Sequence, residues 1–236
     1  TLSDISDKMV GFSLSGPNSR KVLERLTVDP IGDLKFMGCG SYDLGLLKCK
    51  IGRLSLTGEL GYEINCSASE HIALRKMLLE AGADLGMREV GFNAMLSMRL
   101  EKSFGIWSAE FTQGYTAAQT GMDRWIDWDK EFTGKTAALA ERDGNGPAQR
   151  VVTLEIDALD ADAAGFEPVW AGGKVVGFVT SGGYGHTVGK SLAMAMINNA
   201  QCAEGTELIV HIGGAEMSAR VIAASPYDPA GKAMRG

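Results

Sequence analysis

The stretch IGRLSLTGELGYEINCS, residues 51–67, decides how the first part of the chain folds. Apolar residues alternate with polar ones on both sides of a glycine-rich centre, first at Leu54 and Leu56 and again from Tyr62 onward. A period of two is typical of β-strands, and a glycine-rich segment between two such runs is typical of a turn. The pattern therefore predicts two strands joined by a turn.

Glu63 belongs to the second of these runs, on the face opposite Tyr62 and Ile64. A carboxylate on a rigid strand suits a flat heterocycle with two adjacent N–H donors, because its two oxygens can accept both hydrogen bonds at once. The alternative is a glutamate on the solvated face of a strand, where most strand glutamates lie. Glu63 is therefore a candidate ligand-binding residue, with both interpretations open.

Length and composition describe an ordinary globular chain of one large domain or two smaller ones. It has 236 residues, of which 45% are hydrophobic and 22% charged, enough to bury a sizeable core. A net charge of −6 without basic clusters argues against nucleic acid or an anionic membrane as the main partner. No apolar run approaches the roughly 18–20 residues of a membrane-spanning helix, and no signal-peptide pattern is present.

The cysteines and histidines predict no metal site. The four cysteines lack C-x-x-C spacing, which favours reduced thiols in a reducing compartment, the cytoplasm or a eukaryotic mitochondrial matrix. The three histidines are far apart, and none has a metal-type partner three or four residues away. No Ser–His–Asp arrangement can be assigned either, so the sequence predicts no catalytic residue.

Helices and strands alternate through about residue 145. Helical spacing of apolar residues predicts helices at 20–26, 71–81, 91–104 and 135–141. Period-two or continuous apolar runs predict further strands at 9–15, 42–49 and 125–128. The polar, Gly/Thr-rich stretch 107–122 is predicted to be irregular.

Beyond the linker DGNGP at residues 143–147 the pattern changes to short strands. They are predicted at 151–156, 169–170, 174–180, 191–197, 207–212 and 216–224, with turns at the glycine pairs 172–173, 182–183 and 213–214. Regular short strands with glycine turns are typical of a small barrel or sandwich. The fold class predicted is therefore α+β, with two domains: 1–145, α+β, and 146–236, all-β.

Six segments in chain order resemble one family. They are SLSGPNSRKVLERL (13–26), TGELGYE (57–63), MRLEKSFGIW (98–107), FTGK (132–135), GKVVGFVTSGGYG (173–185) and KSLAMAMI (190–197). The chain resembles the aminomethyltransferase family of the glycine cleavage system. Within it, the likeness is greatest to the tetrahydrofolate-binding C-terminal part of dimethylglycine and sarcosine dehydrogenases.

The resemblance implies a partial three-subdomain aminomethyltransferase-like fold around a central cavity, ending in a small β-barrel. It implies tetrahydrofolate as the ligand, with the pterin ring held by Glu63 and with Tyr62, Trp107 and Tyr184 as further cofactor-binding residues. For Trp107 the alternative is a core aromatic at the end of a helix. For Tyr184 the alternative is a solvent-exposed turn.

Three departures from the family pattern limit what the resemblance implies. The family's catalytic Asp lies upstream of anything that matches Thr1, which predicts a piece of a longer protein that is not a complete catalyst alone. Met95 stands where glycine-cleavage enzymes carry a folate-contacting Arg, and the dehydrogenase branch tolerates an apolar residue there. Gln119 replaces a Glu of the family's TPxEAGL run.

The function implied is tetrahydrofolate-dependent transfer of an aminomethyl or methylene group, in a dimethylglycine/sarcosine dehydrogenase-like or aminomethyltransferase protein. FAD would be bound only by an upstream flavin domain of the same polypeptide. The alternatives are a folate-dependent demethylase of the same fold, a non-catalytic folate-binding module, and a chain that only folds. Such modules carry Lys-Gly-Cys-Tyr-x-Gly-Gln where this chain has QGYTA at 113–117, which disfavours the second alternative.

Overall fold

A computed structural model describes residues 2–236. The chain forms two compact units, one comprising the residues up to Met95 together with Ala230–Gly236, the other Leu96–Pro229. The predicted boundary between residues 145 and 146 stays a prediction. Residues 96–145 belong to the same compact unit as the β-strands that follow them.

The first unit is built on a four-stranded antiparallel sheet in the order β1–β4–β3–β2. The strands are β1 (Met9–Ser15), β2 (Cys39–Leu44), β3 (Leu47–Gly52) and β4 (Gly61–Ser67), and the helices are α1 (Ser19–Glu24), α2 (His71–Gly82) and the short C-terminal α5 (Lys232–Arg235). Strand β4 buries Tyr62, Ile64 and Cys66 and exposes Glu63, which confirms the predicted alternation. Helix α2 buries Leu74 and Leu78, four residues apart on one face.

Two predicted strands of this unit are wrong. The run 42–49 is a hairpin, because a two-residue turn at Gly45 and Leu46 separates β2 from β3. The run around Leu54 and Leu56 bends instead of extending into a strand. There the Ser55 hydroxyl accepts the Gly58 N–H at 3.0 Å, and such side-chain bonds to the backbone compete with a strand ladder.

The second unit contains a closed barrel of six antiparallel strands, in the order β10–β5–β8–β7–β6–β9. The strands are β5 (Gln149–Ile156), β6 (Pro168–Ala171), β7 (Lys174–Gly185), β8 (Lys190–Asn198), β9 (Glu207–Ile212) and β10 (Ala215–Ile222). Inward-facing aliphatic side chains of all six strands fill its interior, among them Leu154, Val210 and Val221. The prediction of an α+β chain that ends in a small barrel is confirmed.

The long strand β7 corrects one predicted turn. Gly182 and Gly183 lie inside β7, and the chain turns only after Gly185. A Cβ atom on Gly182 would lie 2.2 Å from the carbonyl oxygen of Ala163. Glycine is needed here because another segment of backbone approaches the strand closely.

Helix α3 (Phe92–Glu101) and helix α4 (Lys135–Asp143) complete the regular structure. Helix α3 ends in a left-handed residue, Ser103, with φ of 55°. The Ser103 and Phe104 N–H groups donate back to the carbonyl groups of Leu100 and Arg99, a Schellman-type end.

The segment 107–122 is irregular as predicted, but the strand predicted at 125–128 is wrong. A 3₁₀ turn occupies Asp123–Trp125, and Asp127 Oδ1 accepts the Asp129 N–H at 3.2 Å. An Asp side chain that bonds the backbone two residues on favours a turn over a strand. No helix in the described part of the chain combines the length and apolarity needed to cross a membrane.

Candidate functional site

Glu63 lies on β4, which pairs with β1 on one side and with β3 on the other. Its cross-strand partners are Ser13 of β1 and Gly52 of β3. Both are small, and directly opposite residues on a sheet face have their Cβ atoms only about 4.5–5.5 Å apart. The exposed carboxylate therefore has only small residues directly opposite it on the two neighbouring strands.

Tyr62, the next predicted ligand residue, points the other way into the core and has no exposed surface. Its hydroxyl oxygen accepts a hydrogen bond from Arg20 Nε at 3.2 Å. Arg20 Nη2 in turn donates to the Gly236 carbonyl oxygen at 2.9 Å. Tyr62 thus anchors the strand that carries Glu63, while its direct contact with a ligand stays a prediction.

Trp107 is 84% exposed, so the alternative of a core aromatic is wrong. It follows Ile106, whose carbonyl oxygen accepts the N–H groups of Ala109 at 3.2 Å and Phe111 at 3.1 Å. These bonds close a tight turn with the indole projecting from it. A large aromatic side chain held in solvent at such a turn offers a flat face to a ligand.

Tyr184 lies near the end of β7 rather than in a turn, and it is 42% exposed. Its ring contacts the His186 imidazole edge-on, with centroids 5.1 Å apart. Its carbonyl oxygen accepts the Ser97 hydroxyl at 2.5 Å. Tyr184 and Trp107 thus belong to the same unit, and both present aromatic surface to solvent.

Sequence reasoning missed Glu110, a fully buried carboxylate in the segment that follows α3. Oε1 accepts the Thr180 and Ser181 hydroxyls at 2.6 and 2.5 Å. Oε2 accepts the Ile106 N–H at 3.0 Å and Arg99 Nη1 at 3.3 Å. Its only local signal is an acidic residue between Ala109 and Phe111, which does not show that the side chain is buried.

Arg99 and Glu101 come from the same helix and bind different partners. Arg99 forms the buried ion pair with Glu110 and also donates to the Phe104 carbonyl oxygen at 3.0 Å. Burial lowers the pKa of the Arg99 guanidinium, and the charge and hydrogen bond of Glu110 offset part of this effect. Glu101 accepts the backbone N–H groups of Thr187 and Val188 at 2.6 and 2.9 Å.

The barrel surface carries a hollow that lies away from these residues. It is a groove of about 840 Å³ on the outer face, with Trp170, His211, Glu216 and Arg220 among its lining side chains. None of the four predicted ligand residues lines it. Within residues 2–236, no group of three or more His, Cys, Asp and Glu side chains is placed to hold a metal ion.

Two family models match the chain. The GCVT N-terminal domain model matches residues 1–130, and the model for the glycine cleavage T-protein C-terminal barrel domain matches residues 149–228. The second match includes all six strands of the observed barrel.

Individual relatives and a solved structure agree with these matches. Mitochondrial dimethylglycine dehydrogenase of Rattus norvegicus is 32% identical over 94% of the chain. An aminomethyltransferase of Halalkalibacterium halodurans is 28% identical over 96%. The crystal structure of glycine cleavage system aminomethyltransferase T from Bartonella henselae superposes with a TM-score of 0.83 at 26% identity, over 94% of the chain.

The chain spans only part of each of these proteins. It covers 26% of the rat dehydrogenase, 62% of the Halalkalibacterium aminomethyltransferase and 60% of the Bartonella chain. The resemblance drawn from the six sequence segments is confirmed, as is the aminomethyltransferase-like fold.

Proposed function

The chain belongs to the glycine cleavage T-protein family, and from this membership we propose that it binds tetrahydrofolate and takes part in one-carbon transfer. The relatives it matches are named for aminomethyl transfer and for dimethylglycine dehydrogenation. Both reactions release a one-carbon group from an amine, which a reduced folate can accept.

The exposed carboxylate of Glu63 is the observation that carries the proposal. It is fixed on a strand that is hydrogen-bonded on both sides, and its cross-strand neighbours are Ser13 and Gly52. A pterin is flat and offers adjacent N–H donors along one edge, so the two oxygens of Glu63 can accept a paired hydrogen bond from it. Tyr62, buried on the opposite face, anchors the strand that carries Glu63.

Trp107 and Tyr184, both in the second unit, are the aromatic side chains that the family resemblance implies for folate binding. Stacked or edge-on contacts of a folate ring with such side chains add to the paired hydrogen bond. The fit of these residues to the ligand is chemical: an acceptor pair for the donor edge, and flat apolar faces for the ring.

The tetrahydrofolate, when bound, supplies the nitrogen nucleophile that takes up the one-carbon unit. The task of the chain's own residues is to orient the ring and to keep water from the reactive carbon. Met95, an apolar residue where glycine-cleavage enzymes have Arg, favours the dehydrogenase-linked branch over glycine cleavage. In that branch, oxidation of the amine by FAD would belong to a flavin domain of the whole polypeptide, working in the cytoplasm or the mitochondrial matrix.

Calorimetric titration with tetrahydrofolate tests the proposal. Glu63→Ala removes a paired, charge-assisted contact, which is worth about 1.5–3 kcal/mol, so Kd should rise roughly tenfold to hundredfold. Glu207→Ala is the matched control, since it removes an exposed strand glutamate of the barrel and should leave Kd unchanged. Equal heats for the wild type and Glu63→Ala would refute the proposed role of Glu63.

A further inference from the structure

The network around Glu110 joins α3 and the turn that follows it to β7, which is distant in sequence. Arg99 comes from α3, Ile106 from the turn after it, and Thr180 and Ser181 from β7. All four groups donate to one carboxylate.

The Glu110 carboxylate accepts from all four groups at once. Each oxygen of Glu110 accepts two hydrogen bonds, one pair from the hydroxyls of β7 and the other from Arg99 and the Ile106 N–H. An amide of the same size would turn its NH₂ group toward one of these pairs; the β7 hydroxyls, which can accept as well as donate, would have to reverse their hydrogen bonds to meet it. It would also leave the Arg99 guanidinium, 3% exposed, without its counter-ion.

The network reaches Trp107 through the backbone. Ile106 gives its N–H to Glu110, and its carbonyl oxygen accepts the N–H groups of Ala109 and Phe111. Both ends of this residue are therefore tied, and Trp107 is the next residue along the chain. The 84% exposed indole has little packing of its own, so its direction is set mainly by the turn below it.

Gly105, at the start of the turn, packs tightly against Glu110 and Phe111. A Cβ atom on Gly105 would lie 2.9 Å from Glu110 Cβ and 2.7 Å from the Phe111 ring. Real Cβ atoms do not approach other carbon atoms so closely, so the turn rests directly on the buried carboxylate residue.

We propose that Glu110 is a positioning residue, whose charged network with Arg99, Thr180 and Ser181 fixes the turn that presents Trp107 to the ligand. That the ligand is a folate rests on the proposed function above. That Glu110 holds the turn rests on its hydrogen bonds alone.

The test compares Glu110→Gln with the wild type in full-length chain labelled with 5-fluorotryptophan. Fluorine NMR of the free protein resolves the tryptophans one by one, and Trp107→Phe identifies the resonance of Trp107. Glu110→Gln should shift or broaden that resonance and raise the Kd for tetrahydrofolate about tenfold, the effect of one misplaced contact. Glu110→Asp keeps the charge and should restore part of both properties.

Leu154→Ala controls for a general loss of stability. Leu154 is fully buried in the barrel interior, so its truncation destabilises the same unit without touching the turn. It should leave the Trp107 resonance and the Kd unchanged. If Leu154→Ala moved both as much as Glu110→Gln did, the effect would be global and the inference wrong.

The remaining outcomes are also decisive. A Trp107 resonance and a Kd in Glu110→Gln that match the wild type would overturn the inference. Wild-type protein that bound no tetrahydrofolate would refute the proposed function, and the resonance of the free protein would then decide the role of Glu110 by itself. Should Glu110→Gln not fold, the same comparison is made with Glu110→Asp, whose Trp107 resonance must then differ from that of the wild type.

Discussion

Two ion pairs of the second unit show whether distance or burial decides how much an ion pair contributes to stability. Lys190 Nζ lies 3.1 Å from Glu155 Oε1, and these side chains are 54% and 20% exposed. Arg99 Nη1 lies 3.3 Å from Glu110 Oε2, and these are 3% and 0% exposed. Distance alone ranks the Lys190 pair as the stronger, whereas burial ranks the Arg99 pair first.

We expect burial to decide the cost of losing the cation. Arg99→Met leaves the Glu110 charge in a dry interior without a counter-ion, which costs about 3–5 kcal/mol of unfolding free energy. Lys190→Met removes a pair that water and salt already screen, which costs about 0.2–1 kcal/mol. In addition, Glu155 keeps a second cationic neighbour, Arg220, at 3.4 Å.

Urea unfolding followed by tryptophan fluorescence measures both variants. All four tryptophans lie in the second unit, so the signal reports the unfolding of the unit that carries both pairs. Equal m-values would show that the same surface is exposed in each variant. The reasoning fails if Lys190→Met destabilises the unit as much as Arg99→Met does.

Two further predictions concern the first unit. Burial raises the pKa of the Cys49 thiol to about 11, so a thiol reagent at about pH 8 should label exposed Cys39 at once and Cys49 only after unfolding; equal labelling rates in the native protein would contradict this. The hydrogen bond from Arg25 lowers the pKa of the Asp84 carboxyl, so its contribution to stability is complete above the unfolded pKa and is lost as pH falls through the lower folded value. Acid unfolding should therefore show a weaker pH dependence in Asp84→Asn than in the wild type below about pH 4, and parallel curves would show that the pair does not act on stability.

The parts of the fold that sequence predicts well depend on local patterns. Strands β5, β8, β9 and β10 repeat an inward apolar residue every second position, and the glycine pairs at 172–173 and 213–214 make the turns they predict. Glu63 was found in the same way, because the alternation around it fixes which face it occupies.

The parts that sequence misses depend on partners distant along the chain. The glycine pair 182–183 is typical of a turn, but Gly182 lies inside a strand, where the backbone of Ala163 approaches too closely for a side chain. Glu110 has no local pattern of its own, and two of the four groups that bind its carboxylate, the Thr180 and Ser181 hydroxyls, lie 70 and 71 residues away. The bend after Leu54 is an intermediate case: Ser55 and Gly58 carry its hydrogen bond, but the alternation of apolar residues there favours a strand.

Closure of the six-stranded barrel also affects how this protein can aggregate at high concentration. A sheet with unpaired edge strands can pair with a strand of another molecule and seed fibrils, whereas a closed barrel has no edge strand. Among the sheets of residues 2–236, the four-stranded one has such edges, at its outermost strands β1 and β2. Self-association of this protein at high concentration should therefore begin at β1 or β2, and the barrel should take no part in it.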